Sequence, residues 1–205
     1  MKQSIVLLSF LCCGFLLNAQ QSVADSLSTE FNKVKAAAVI DKNDKQVLQL
    51  LEMLYADVMQ SDKGMISEQT LSEYKRIEAD KQVPNWQLFY LFDQYQDYVT
   101  STMETGKTIP DFQLASIGLL KDDVLLIYEQ IPAVVLIYMG ETLIVSGMEQ
   151  RAKAHFELSL QFYPESVPIN VYNYLLCDNP AEKEKLGKKL KKLHSKHWMV
   201  QQFLG

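Results

Sequence analysis

Two histidines, His194 and His197, stand three residues apart near the end of the chain. On one helix that spacing puts both imidazoles on the same side, where a pair can chelate a metal. No acidic or cysteine ligand with comparable spacing joins them, and one pair binds weakly, so they read as surface residues of a terminal helix. Cys177 with His155 would form a reactive thiolate pair only if the fold supplied the approach and a third, orienting residue. A lone cysteine in a helix more often behaves as a small buried apolar group. Gly106-Lys107-Thr108 repeats the tail of a P-loop. That motif wants glycine where Ser101 stands, and a strand before the loop where this chain has a helical pattern. There is no G-x-S-x-G elbow. The chain is therefore read as non-enzymatic, with no catalytic residue, metal or cofactor.

The 205 residues carry 20 Lys+Arg against 25 Asp+Glu, a net charge of -5. A mildly acidic chain lacks the electrostatic footprint of a nucleic-acid binder. Lys2 followed by the apolar run Ile5 to Leu17, then Asn18-Ala19, has the order of an export signal. Its apolar run is shorter than the roughly 20 residues of a membrane-spanning helix. Cys12 and Cys13 lie deep in that run without the small preceding residue of a lipid-attachment site. Residues 1–19 are thus expected to be removed on export, to the periplasm or outside. That leaves 19 basic against 25 acidic residues, a net -6, and Cys177 as the remaining cysteine. A disulfide-stapled fold is excluded.

Residues 20–205 then read as one all-α unit. Ser22 with Asp25 has capping-box spacing, and Val23, Leu27, Phe31 and Val34 recur on one helical face. Asn43 or Asp44 can cap QVLQLLEMLYADVMQ, whose wide apolar face implies contact on two sides. Gly64 breaks it, and Ser67 caps the next helix, with Ile66 and Leu71 placed as a hydrophobic staple. Asn85 can cap the most aromatic stretch: Trp86, Phe89, Tyr90, Phe92, Tyr95 and Tyr98. Rings at that spacing either fill the space between helices or form a stacking platform for a sugar or peptide. Asp111 can cap a helix through Phe112, Leu114, Ile117 and Leu120. Residues 123–145 are rich in β-branched types, so a three-strand meander competes with two buried helices broken at Pro132.

Pro132 to Ser166, PAVVLIYMGETLIVSGMEQRAKAHFELSLQFYPES, resembles one unit of the tetratricopeptide-repeat (TPR) family. Gly140 stands where two helices approach closely, Gly147 closes the first, Ala152 and Phe156 form the core pair of the second, and Pro164 ends it. Leu136, Met139 and Leu143 depart from the family pattern. Val167 to Cys177 and Ala181 to Trp198 would make a truncated second unit. The string ending in YPES and continuing INVYNYLL also resembles helical tails of some exported bacterial hydrolases, without their catalytic domain. The TPR resemblance implies a short solenoid of stacked antiparallel helical hairpins: residues 20–131 forming N-terminal hairpins and 132–205 the repeat-like part. It also implies a protein or peptide partner, met by Ile137, Glu141 and Ile144 on the first helix of the unit.

The last helix offers a rival. Residues 182–196 hold seven lysines against Glu182 and Glu184, a local charge of +5, beside an apolar face of Leu186, Leu190, Leu193 and His197. A solenoid needs a polar capping helix, which explains the lysines. The other reading is contact with an anionic membrane surface, weak and salt-sensitive at most.

Overall fold

The computed structural model describes residues 25–106 and 109–205, so the expected export signal and Lys107-Thr108 lie outside the described residues. Every regular element among the described residues is helical. Ten follow one another: α1 (25–37), α2 (Gln46–Leu54), α3 (Glu68–Ala79), α4 (Trp86–Thr105), α5 (Pro110–Tyr128), α6 (Ala133–Val145), α7 (Glu149–Phe162), α8 (Val167–Leu175), α9 (Pro180–His194) and α10 (Trp198–Leu204). From α2 onward each packs on the next, and α2 also touches α4 and α6. No described helix is long and apolar enough to cross a membrane.

The boundaries follow from local chemistry, with some changes of role. Ser67 caps α3 as expected, accepting from Thr70 N. Asp44 sits one residue before the α2 cap and accepts from Gln46 N at 3.0 Å. Asn85 stands at the cap position of α4, as expected, but its side chain makes no capping bond. It adopts a left-handed backbone and turns its fully buried amide to Asp41 and to the Tyr128 hydroxyl, tying the 39–41 loop to α5. Pro110 opens α5, and Asp111 lies in its first turn rather than at the cap. The β-branched run resolves as the end of α5 and all of α6, separated at Pro132. Pro132 cannot donate the bond that would make the two continuous.

The aromatic stretch fills the core. Trp86, Phe89, Phe92 and Tyr95 are buried within one large cluster that runs from Phe31 to Ile169. A smaller cluster joins α8, α9 and α10 through Val171, Leu190 and Val200. The last helix is shorter than its pattern suggests. It ends at His194, and His197 caps a separate α10. As a result Leu190 is buried, Leu186 half-buried and Leu193 57% exposed.

In the α6–α7 pair, a Cβ on Gly140 would come within 2.1 Å of Phe156 Cζ. The absence of a side chain there is what lets the ring in. Ala152 and Phe156 are fully buried, and Phe156 stacks on Tyr172 of α8 at 4.7 Å.

Candidate functional site

A cleft opens where α2 gives way to a π-helical turn, Tyr55–Gln60. Such a turn leaves carbonyls off the regular ladder, and these need other donors. The C-terminal segment supplies them. His197 Nε2 reaches Met59 O at 2.8 Å, Trp198 Nε1 donates to Val58 O at 3.1 Å, and Trp198 N donates to Asp62 O at 3.1 Å. Gly64 passes beneath the Trp198 indole, where a Cβ would lie 2.8 Å from the ring. On the other side, Ser67 N and Thr70 Oγ1 donate to Asp57. Hydrogen bonds from Ser67 and Thr70 hold that carboxyl below its ordinary range. The turn is thus pinned by α10 at its carbonyls and by the start of α3 at its carboxylate.

Pinned there, Leu54, Val58 and Met59 form one wall of a cleft of about 350 Å³. Leu71 and Tyr74 of α3 form the opposite wall, Phe92 and Gln96 of α4 with Val134 and Tyr138 of α6 complete it, and Ile66 sits at its edge. The volume falls in the range of small-ligand and side-chain pockets. Ile66 and Leu71 remain 40% and 39% exposed. The expected staple residues are therefore a rim. Three polar groups interrupt the apolar lining. Gln96 Nε2 is buried, makes no well-formed hydrogen bond, and faces the Tyr138 hydroxyl. The Tyr74 hydroxyl donates to Asp93 Oδ1, and burial raises the titration of both groups. Burial likewise raises Tyr138.

The residues expected to face a partner lie elsewhere and are largely covered. Ile137 is 1% exposed, deep in the main core. Glu141 accepts a 2.5 Å hydrogen bond from the Tyr172 hydroxyl of α8, and burial pushes its carboxyl up to about 7. Ile144 is half-buried against the same core. The physical reason is α8, whose Tyr172 closes over the face of α6 that the repeat resemblance would leave open. Beside it, the Tyr95 hydroxyl meets Thr142 Oγ1 at 3.0 Å.

The possible chemical constellations are not assembled. His155 Nε2 is engaged with Leu136 O at 2.7 Å, while the Cys177 thiol, half-buried just beyond α8, contacts Asn179 O. His197 is 1% exposed rather than a surface residue, and its ring is committed on both sides, to Met59 O and to Met199 N. Nε2 must then carry the hydrogen, because Nδ1 accepts. Among the described residues no group of three or more His, Cys, Asp or Glu is placed to hold a metal ion. The cleft itself was not read from the sequence. The signal that could have found it is Gln96, the amide that interrupts the aromatic face of α4, together with two apolar residues flanking a polar cap at Ser67.

Compared with protein-family models, with curated proteins and with solved structures, the chain matches none.

Proposed function

We propose that this chain is an exported, non-enzymatic, TPR-like helical module that binds a protein or peptide partner. The observation that carries the proposal is the cleft between the π turn, α3, α4 and α6: open, apolar-walled, and furnished with a buried amide whose donors are not fully used. An apolar hole with one or two placed polar groups accepts an anchoring side chain and fixes the backbone next to it. The Gly140–Phe156 approach and the Ala152 position agree with a repeat-like α6–α7 pair. A stack of helices held this way is a rigid platform, which keeps the ordering cost of binding low. The partner-facing surface moves, relative to the sequence expectation, from α6 to the mouth between α3 and α4.

A random-peptide selection against residues 20–205 tests this. Peptides that bind the wild type and are lost on Leu71→Glu are expected; enrichment of none, or only of peptides indifferent to Leu71→Glu, would overturn the reading.

The membrane-surface reading keeps one observation in its favour: Lys185, Lys188, Lys189, Lys191, Lys192 and Lys196 are all exposed around an exposed Leu193. Leu190 is buried, so one leucine is available for insertion where stable anchoring needs more. Cosedimentation with anionic vesicles is expected to be weak and released at physiological salt.

A further inference from the structure

Resting on the peptide-binding reading, we infer that the cleft at the π turn takes a bulky aliphatic side chain from a basic, amphipathic peptide segment, with the peptide's lysine or arginine meeting the α3–α4 end of the mouth. The apolar walls set the first half of that description. No lysine or arginine lines the cleft. Gln96 Nε2, buried on the cleft wall, has two hydrogens, of which the Tyr138 hydroxyl can take one; a peptide carbonyl can accept the other and an aliphatic chain cannot.

Charge sets the second half. Around the Tyr74 hydroxyl gather Asp93, which accepts its hydrogen bond, and the carboxylates of Glu78 and Asp97. None of these three acids forms an ion pair among the described residues, and Lys75, next along α3, pairs with none of them. Clustered carboxylates without counter-charge repel one another, and Asp97 contributes to raising Asp93 in this way. A cation placed at the mouth relieves that repulsion, whereas an acidic residue adds to it. The site is thereby selective by charge as well as by shape.

Three fluorescein-labelled helical peptides of one length test the inference by anisotropy: leucine with lysine, leucine with serine, and leucine with glutamate. The leucine–lysine peptide is expected to bind about tenfold tighter than the leucine–serine one, and the glutamate peptide more weakly still. Asp97→Lys, at an exposed position, should remove most of that preference. Glu149→Lys, the same charge change at the start of α7, should leave affinity within about twofold. Leu71→Glu should weaken the leucine–lysine and leucine–serine peptides. Equal affinity of those two, both lost on Leu71→Glu, would overturn the charge inference and leave the peptide-binding reading standing. Binding by none of the three would count against both. Concentration-dependent self-association in the ultracentrifuge, abolished by Leu193→Glu, would assign the cleft to the basic α9 of a second copy and overturn the inference.

Discussion

The α6–α7 pair and the α2–α3 region are built from similar apolar helices, yet one is sealed and the other is open. In the first, Gly140 removes the one side chain that would hold the helices apart, and Phe156 fills the space and stacks on Tyr172. His155 and Tyr172 also spend their polar atoms on α6, at Leu136 O and at Glu141. In the second, α3 buries only Thr70 and Ile77 and keeps Leu71 on the surface. The π turn opposite is fixed by its bonds to α10 and, through Asp57, to the start of α3. Closure therefore requires a small residue facing a large one, and a cleft survives where polar anchors fix two walls before the apolar groups can meet.

The comparison is most sharply broken by emptying or crowding the sealed side. Phe156→Ala is expected to cost about 3–5 kcal/mol in urea denaturation. Gly140→Ala and Ala152→Leu, both overpacking, should cost about 1–3 kcal/mol each. Gly140→Ala combined with Phe156→Leu should cost less than the two separately, because the smaller side chain makes room for the new methyl. Full additivity would mean that the two residues do not share one space.

Next in size is the buried carboxyl on the sealed side. Glu141 titrates near 7 in the fold, above the ordinary carboxylate range. As pH rises through that window the unfolded chain ionises first, so the fold loses stability between about pH 4.5 and 7. Glu141→Gln keeps an acceptor for Tyr172 and removes the charge. It should stabilise by about 2–3 kcal/mol at pH 8 and by almost nothing at pH 4. A gain independent of pH would show that burial of the charge is not the cause.

The buried histidines, one on each side, have the opposite pH sign to Glu141. Burial holds His197 below the ordinary imidazole range, and the same is true of His155. Below about pH 6.5 the unfolded chain takes up protons before the fold does, so the stability these residues give is full above that pH and lost as pH falls. His197→Ala leaves Met59 O without its donor and should cost about 1–3 kcal/mol at pH 7.5, with a shallower acid slope. The smallest effects belong at the rim and on the basic helix. Leu71→Ser, Ile66→Ser and Lys189→Ala should each stay within about 0.5 kcal/mol, while the first two reduce peptide binding.

Much of the sealed half could be read from the residue string. Gly140, Ala152, Phe156 and Pro164 are local signals: a missing side chain, a small–large pair one turn apart, a missing N–H. Each constrains its own helix and its sequence neighbour. The same locality explains Ser67 at the start of α3, and the break at Pro132 in a run whose β-branched composition also allowed strands. The order and type of the helices were determined at this level, because periodicity and caps act over a few residues. Tertiary structure decided what those helices cover. His197 lies 138 residues from the carbonyl it engages, and Tyr172 lies 31 from Glu141. No periodic pattern encodes either distance. The first contact pins the π turn that frames the cleft, and the second closes the face of α6 where Ile137, Glu141 and Ile144 were expected to meet a partner. Sequence spacing places a side chain on a helix face, but only the packing of distant helices determines whether that face remains exposed.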